Sequence, residues 1–311
     1  MARLIVRRLF WTIPVILLVI LLTFTMMRQI GGNPFRTTER AVPEAIQRNL
    51  EEKFHVNEPW YIQYARYVEG VFTFDLGPSL VLRNRTVNDI VREHFPNSIQ
   101  LGALAMLFAV VVGVPLGMLS ALRHNTAVDY SAMVVSNIGF AIPSFLVSTL
   151  FIYFFALRWG DTFGLPTNGW STWRHKVLPS IALGLAPMAY FARLVRGTML
   201  ETLQQDYIRT AKAKGLRWRR VVVVHVLRNS LIPAVTAAGP LLGFLITGSF
   251  VVELIFAIPG IGRYYVTAVT GRDYSVVMGL TVLLSIIIIV ANLVVDILYG
   301  YLDPRTREAR T

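Results

Sequence analysis

The sequence contains no cysteine and few charged residues for its length. Without a cysteine among the 311 residues, disulfides, thiolate metal sites and cysteine nucleophiles are excluded. Charged residues make up only 15% of the chain, whereas a soluble domain carries about a quarter. This shortage indicates a membrane protein. The net charge of +12 leaves nucleic-acid binding open until the positions of the basic residues are considered.

Motifs of nucleotide-hydrolysing and other hydrolytic enzymes are also missing. The sequence has no Gly-x-x-x-x-Gly-Lys-Ser/Thr loop for ATP phosphates, no His-Glu-x-x-His and no Gly-x-Ser-x-Gly. We therefore expect no catalytic residue, no metal site and no cofactor bound by this chain. If the protein moves a solute against its gradient, the energy must come from a partner or from an ion gradient.

Long apolar runs are abundant instead. A bilayer-spanning helix needs about 20 apolar residues. Six runs without Asp, Glu, Lys or Arg approach or exceed this length, so we predict an all-α membrane protein with six transmembrane helices. The runs are Leu9 to Met27, Ser98 to Leu122, Ser131 to Leu157, Val177 to Ala192, Asn229 to Val252, and Tyr274 to Val295. The first run lacks the small-residue cleavage site of a signal peptide and is expected to stay as the first span.

The basic residues are distributed unequally over the two sides of the predicted membrane. The two terminal segments and the turns after spans two and four hold fifteen, whereas the two short loops on the other side hold five. By the positive-inside rule, both termini and the loop 201–229 are predicted to be cytoplasmic. The same asymmetry accounts for the net charge without nucleic acid, so the expected partner is the lipid bilayer.

Four regions follow from this topology. Residues 1–30 form a cytoplasmic tail and the first span, residues 31–97 an extracytoplasmic segment, residues 98–302 a five-helix membrane core, and residues 303–311 a cytoplasmic tail. Helices are predicted within the extracytoplasmic segment at Pro43 to Phe54, Pro59 to Phe72 and Thr86 to His94, with a turn at Phe74 to Ser79. This segment is interpreted as a small cap on the spans, a docking surface for an external partner, or both.

Polar residues inside the spans are candidates for structural ties. Asp296 lies near the inner end of the last span, with Asn292 one turn earlier on the same face. Arg193 is predicted at a similar depth in span four. The hypothesis is that Asp296 pairs with Arg193 or with a neighbouring subunit, as a structural contact without a transport role.

Other polar residues are candidates for a translocation path. We expect about half of them to line the path and the rest to bond back to helix carbonyls; they are Asn137, Ser144, Thr236, Thr247 and Ser249. Pro143 is expected to kink span three. The scarcity of ionisable groups in the spans argues against a proton relay, whereas sodium sites formed by broken helices remain open.

The segment DYIRTAKAKGLRWRRVVVVHVLRNSLIP (206–233) interrupts the apolar runs with basic residues. Asp206 is a suitable N-cap, the next residues predict about two helical turns, and Gly215 fits the left-handed position after a helix end. Tyr207, Thr210, Ala211 and Lys214 are predicted on one face. Thr210 and Ala211 are small enough for close approach by a partner. The alternatives are a docking helix or a positive-inside loop that continues as an interfacial helix.

RTAKAKG (209–215) resembles the EAA loop of ABC-importer permeases, which is Glu-Ala-Ala, three residues, then Gly. Arg209 and Thr210 replace the first two residues of the motif, whereas Ala211 and Gly215 match. These departures resemble the peptide/nickel subfamily. Further stretches are similar to B-type permeases of dipeptide and oligopeptide importers, including QYARYVEGVFTFDLGPS (63–79), GVPLGMLSA (113–121), VVELIFAIPGIGR (251–263) and NLVVDILYGYLDPR (292–305).

This resemblance implies a type I importer permease fold with a small helical extracytoplasmic insertion between helices 1 and 2, in the bacterial cytoplasmic membrane. The implied partners are a homologous second permease forming a heterodimer, two cytoplasmic ATPases that hold ATP and Mg²⁺, and an external solute-binding protein. The ATPase-coupling residues would be Asp206, Tyr207, Arg209, Thr210, Ala211, Lys214, Gly215 and Leu216. Glu253, Pro259, Gly260 and Gly262 would form the outer gate or a binding-protein contact. The alternatives are a self-sufficient ion-coupled carrier, or the same permease for nickel, haem or another small solute.

Overall fold

The computed structural model describes residues 2–30, 58–247 and 249–302, which are almost entirely helical. The predicted helix at Pro43 to Phe54 and the C-terminal tail lie outside these residues. The longer helices are α1 (Ala2–Ile30), α2 (Trp60–Phe72), α3 (Val87–Leu122), α4 (Ala127–Ala141), α5 (Ser144–Phe151), α6 (Trp173–Leu203), α7 (Asp206–Ala213), α8 (Ile232–Thr247), α9 (Phe250–Ile255), α10 (Ile261–Gly271) and α11 (Tyr274–Leu302).

Short helical pieces complete the chain between these helices. They are Gly160–Phe163, Trp218–Arg220, Leu227–Ser230 and two π-helical segments, Ile152–Arg158 and Val221–Val226. Within the described ranges, β-structure is limited to one antiparallel bridge between Pro78 and Thr86. The described part of the chain is therefore all-α, as predicted.

Five helical segments are long and apolar enough to cross a membrane, and a bent pair of helices can supply a sixth crossing. The five are Phe10–Gln29, Val87–Leu122, Trp173–Leu203, Ile232–Ile255 and Tyr274–Val295. Each overlaps one predicted apolar run. Several extend beyond their runs, because a helix can continue into polar flanking residues that an apolar-run search excludes.

The remaining predicted span, residues 131–157, is broken by Pro143. Helix α4 ends at Ala141 and α5 begins at Ser144, and the combined segment Ala127–Arg158 bends by 101° at this break. Proline lacks the N–H of an α-helix and restricts the preceding residue, which explains the extended backbone of Ile142 (φ −83°, ψ 123°). The expected kink is a full interruption of the helix.

The segment between the first two spans differs from its prediction in one element. Residues 87–94 do not form a separate helix, because α3 runs without interruption from Val87 to Leu122. The helix predicted at Thr86 to His94 and the run predicted from Ser98 are parts of this one helix, which continues through Pro96. The predicted boundary at residue 98 therefore falls inside a continuous helix. The predicted helix before Phe72 is confirmed as α2.

The described chain divides into two compact units. The first includes residues 99–258 and 290–302, and the second includes residues 2–30, 58–98 and 259–289. In the first unit, the backbones of α3 and α6 approach closely at glycines. A Cβ atom at Gly113 would lie 2.4 Å from the carbonyl oxygen of Met188, and one at Gly117 would lie 2.4 Å from that of Ala192. Side chains at these positions are therefore incompatible with the observed packing.

In the second unit, the loop at residues 79–81 is hydrogen-bonded to Asp273, the residue before α11. The buried carboxylate of Asp273 accepts hydrogen bonds from the Ser79 hydroxyl, from the Leu80 N–H at 3.1 Å and from the Val81 N–H at 3.3 Å. In the preceding turn, Phe74 and Gly77 have φ values of 59° and 83°. The turn predicted at residues 74–79 is thus present, and hydrogen bonds hold its end in place.

Candidate functional site

Helix α7 begins one residue earlier than the sequence predicts. Gln205 occupies the N-cap position with an extended backbone (φ −68°, ψ 148°), and Asp206 is the first helical residue. A carboxylate in the first turn still interacts favourably with the positive end of the helix dipole. Asp206 and Arg209 approach to 3.5 Å, but both side chains are largely exposed, so this ion pair contributes little to stability.

The C-terminal end of α7 has the predicted left-handed glycine. Gly215 has φ +76°, its N–H donates to the Lys212 carbonyl at 2.9 Å, and the Leu216 N–H donates to the Ala211 carbonyl at 3.4 Å. These two bonds form a Schellman motif, in which carbonyls at the helix end are satisfied by the residues that follow. Leu216 then packs on the same apolar cluster as the buried face of the helix. The helix end is therefore rigidly defined.

One face of α7 is anchored to the chain's own core. Ile208 and Ala211 are buried in a cluster with Val195 and Met199 of α6 and Val226 of the following π-helical segment. The prediction that Ala211 lies on the partner-facing side is therefore corrected. Its small side chain allows α7 to pack closely against its own protein.

The other face of α7 is open. Tyr207, Arg209, Thr210 and Lys214 are exposed. The Tyr207 hydroxyl accepts a hydrogen bond from the Asn229 side-chain amide at 2.8 Å, which fixes its aromatic ring. The open face is therefore polar, and one of its side chains is held by a hydrogen bond.

The basic segment after Gly215 is embedded more deeply than the sequence predicts. An interfacial helix was expected, but Val221, Val222 and Val226 are buried in the α6–α7 cluster, whereas Val223 and Val224 are exposed. The Lys212 ammonium lies 4.7 Å from the Trp218 ring centroid, a cation–π contact that joins α7 to the segment. The segment thus packs against the buried face of α7.

An ion pair near α7 was missed by the sequence reasoning. Arg196 of α6 donates from Nε and Nη2 to the two carboxylate oxygens of Asp129 in α4, at 2.7 and 2.8 Å. Span three was predicted to begin at Ser131, because a run without charged residues cannot include Asp129. The helix in fact begins at Ala127 and contains Asp129. The detectable signal was an acidic residue in the first turn of an apolar helix.

Arg193 contacts span three. Its Nη1 donates to the Asn137 Oδ1 at 3.3 Å, and its guanidinium lies 4.3 Å from the Phe140 ring centroid. The side chain of Asp296 lies outside the described residues, so its pairing stays a prediction. Asn292, on the same helix, is half-buried.

The candidate path residues differ in their environments. Asn137 and Thr236 are exposed, Ser144 and Thr247 are half-buried, and Ser249 is buried. Thr236 donates to the Ile232 carbonyl at 3.0 Å and Thr247 to the Phe244 carbonyl at 3.2 Å, as bonds back to the helix do. Asn137 and Thr236 are the two exposed candidates, and of these Asn137 has a side-chain hydrogen bond to another helix.

The candidate outer-gate residues are mostly buried. Ser249 donates to Glu253 at 2.7 Å, and both are buried. In the second unit, Gly260 and Gly262 are also buried, and Pro259 is exposed. The Pro259 carbonyl accepts a hydrogen bond from the Asn97 side chain at 2.8 Å. Packing therefore accounts for much of this motif.

Comparison with known proteins identifies the family of the chain. Residues 113–308 match the family model of the binding-protein-dependent transport system inner membrane component. The chain is 46% identical over 308 residues to the dipeptide transport system permease protein DppB of Bacillus subtilis, covering 99% of this chain and 98% of that protein. It is 42% identical over 309 residues to the oligopeptide transport system permease protein OppB of Haemophilus influenzae, covering 99% of this chain and all of that protein.

Solved structures support the fold. The inward-facing structure of the MetNI methionine ABC transporter matches this chain with a TM-score of 0.58 and 20% identity. The match covers 69% of this chain and 96% of that chain. The architecture is thus the type I ABC importer permease fold. With the family match and the full-length relatives, it places the chain in the inner membrane. The chain belongs to the family of binding-protein-dependent transport system inner membrane components.

Proposed function

We propose that this chain is one of two permease subunits of an ATP-driven importer of dipeptides or oligopeptides. A homologous but different second permease completes the path, and an extracytoplasmic binding protein delivers the solute. Two ATPase subunits hold ATP and Mg²⁺, since this chain has no phosphate-binding loop of its own. The excess of basic residues supports cytoplasmic positions for both termini and for residues 201–229.

The single observation that carries this proposal is the geometry of α7 in a chain whose full-length relatives are peptide permeases. The helix presents Tyr207, Arg209 and Thr210 outward, while Ile208 fastens it to α6. A short helix held in this way can enter a groove on an ATPase and pass the movement of that subunit to the spans. A flexible loop would absorb such a movement instead.

Transport then proceeds by alternating access to a cavity shared with the second permease. Closure of the ATPases on ATP moves α7 and the end of α6 together. Asn137, Ser144, Thr236, Thr247 and Ser249 are proposed for the path, with Asn137 foremost because it is exposed and its amide contacts Arg193 of another helix. Glu253, Pro259, Gly260 and Gly262 are proposed for the outer gate or the binding-protein contact.

The experiment that tests the function is reconstitution of the five-component complex in lipid vesicles. We expect uptake of a labelled dipeptide or oligopeptide that requires both ATP and the binding protein. Uptake of nickel or haem in place of peptide would contradict the substrate and leave the importer standing. Uptake by this chain alone, driven by an ion gradient, would contradict the importer and support a carrier.

A further inference from the structure

The ion pair between Asp129 and Arg196 joins span three to span four through a buried contact. Two nitrogens of one guanidinium reach two oxygens of one carboxylate, at 2.7 and 2.8 Å. Asp129 is only 1% exposed, whereas a quarter of the Arg196 side chain remains accessible. Two-point contacts of this kind fix direction as well as distance. A buried carboxylate without its partner is strongly unfavourable, so the contact resists separation.

The same carboxylate also fastens the turn between spans two and three. The Ser120 hydroxyl, near the end of α3, donates to Oδ1 of Asp129. The backbone N–H of Asn125, which has φ +60°, donates to Oδ2 at 3.0 Å. Asp129 therefore accepts hydrogen bonds from the end of span two, from the turn and from span four. One side chain therefore connects the start of span three to all three of these segments.

Arg196 lies on the part of α6 that carries the coupling helix. Only Gln204 and Gln205 separate the end of α6 from the start of α7. Ile208 of α7 packs in one cluster with Val195 and Met199, which lie on either side of Arg196 along α6. A displacement of α7 is therefore passed directly to the turns of α6 that hold Arg196.

We propose that Asp129 and Arg196 are positioning residues for transport, which make span three follow the coupling helix during the ATP cycle. This inference rests on the proposed function, because the displacement originates in the ATPases. Neither residue has to touch the solute or an ATPase. The competing explanation is a static contact that only stabilises the fold.

Arg196→Lys separates these explanations. Lysine keeps the positive charge beside Asp129 but loses the two-point contact. In the complete complex in vesicles, we expect ATP hydrolysis to persist while solute uptake per ATP falls by about tenfold, a typical magnitude for coupling between sites. Arg123→Lys is the matched control, because Arg123 is exposed in the turn between spans two and three. This substitution should change solute uptake per ATP by no more than about twofold.

A static role predicts another outcome for Arg196→Lys. The amount of complex would fall, and hydrolysis and uptake would fall in proportion, so that uptake per ATP stayed constant. That result would overturn the inference while leaving the importer intact. An unsubstituted complex without any ATP-dependent uptake would instead overturn the proposed function.

A distance measurement tests the inference without solute, and it also applies if Arg196→Lys assembles poorly. The chain has no native cysteine, so spin labels can be placed at Tyr130→Cys in span three and Gln204→Cys in the link between α6 and α7, both exposed. In the otherwise unsubstituted complex, we expect the distance between these labels to be the same without nucleotide and with ATP trapped, while the distance between labels on the two ATPases changes. A change in the Tyr130–Gln204 distance on ATP binding would overturn the inference.

Discussion

At the residue scale, neighbouring positions in α7 have opposite environments. Thr210 is exposed, whereas Ala211 is buried against α6 and the π-helical segment. A glutamate at each position therefore tests different properties of the same helix. The pair can separate the anchoring of α7 from its contact with a partner.

Ala211→Glu should destabilise the chain by about 3 kcal/mol or more, because it places an unpaired charge in an apolar cluster. Thr210→Glu should leave the stability within about 0.5 kcal/mol, because its side chain is in water, but it should weaken co-purification of the ATPases. Thermal unfolding of the purified permease pair and a pull-down of the ATPase measure the two effects. Equal stability of the two variants would show that Ala211 is not packed as described.

Gly215 provides a test of backbone conformation. A Cβ atom at this position would meet no atom within 4 Å, so the strain in a substituted chain comes from the positive φ alone. Gly215→Ala should cost about 1 kcal/mol for the left-handed conformation. Gly215→Asn should cost less, because asparagine tolerates this region. Unfolding of the two variants in urea measures the order, and an alanine variant as stable as the unsubstituted chain would refute the role of the left-handed turn.

The sequence predicts some of these residues for sound physical reasons and misses others. Gly215 follows from local chemistry, because helix ends favour glycine in the left-handed position. Ala211 was assigned to the wrong face, since periodicity says which residues share a face but not which face meets the core. The Asp129–Arg196 pair joins residues far apart in the chain. A local pattern can mark Asp129 as unusual, but it does not identify Arg196 as its partner.

At the scale of elements, the close approach of α3 and α6 depends on the absence of side chains. Gly117 lies against the backbone of Ala192, so an added Cβ would meet a carbonyl oxygen that cannot rotate away. Small residues in such contacts allow membrane helices to pack at short range. The two helices also carry Ser120 and Arg196, which both donate hydrogen bonds to Asp129.

Gly117→Val should therefore force α3 and α6 apart and reduce the stability by about 1–3 kcal/mol, the usual range for overpacking. Gly197→Ala is the matched control in α6, because a Cβ atom there meets nothing within 4 Å, and alanine favours the helix by about 1 kcal/mol. The two variants should shift the thermal midpoint of the purified permease pair in opposite directions. A neutral Gly117→Val would contradict the described packing.

Prolines show how far sequence reasoning extends to elements. Pro143 was predicted to kink span three and instead interrupts it, and the helix resumes immediately afterwards at Ser144. His94 and Ser98 were predicted to lie in separate helices, but α3 continues through Pro96 between them. The Asn97 side chain donates a hydrogen bond to the Pro259 carbonyl. The Ser98 hydroxyl accepts one from the Ile261 N–H. Such long-range bonds support a continuous helix where local propensity predicts a break.

At the scale of the whole molecule, composition and the order of apolar runs are enough to predict a multi-span membrane protein. They reflect the solvation of each span by lipid, which depends on every residue of the run. The side of the membrane is a different property. It depends on a small excess of basic residues in the short loops, and for this chain it remains a prediction.

The absence of cysteine makes this orientation directly measurable. Thr210→Cys on α7 and Ser171→Cys in the loop before α6 are both exposed and are predicted to lie on opposite sides of the membrane. In intact cells expressing both permeases, an impermeant maleimide should label Ser171→Cys and not Thr210→Cys. In inside-out vesicles the order should reverse, and addition of the ATPases should then protect Thr210→Cys, because α7 enters their groove. Labelling of both positions after permeabilisation is the control for reactivity. Labelling of Thr210→Cys from outside would invert the topology, and labelling unchanged by the ATPases would exclude α7 from the interface.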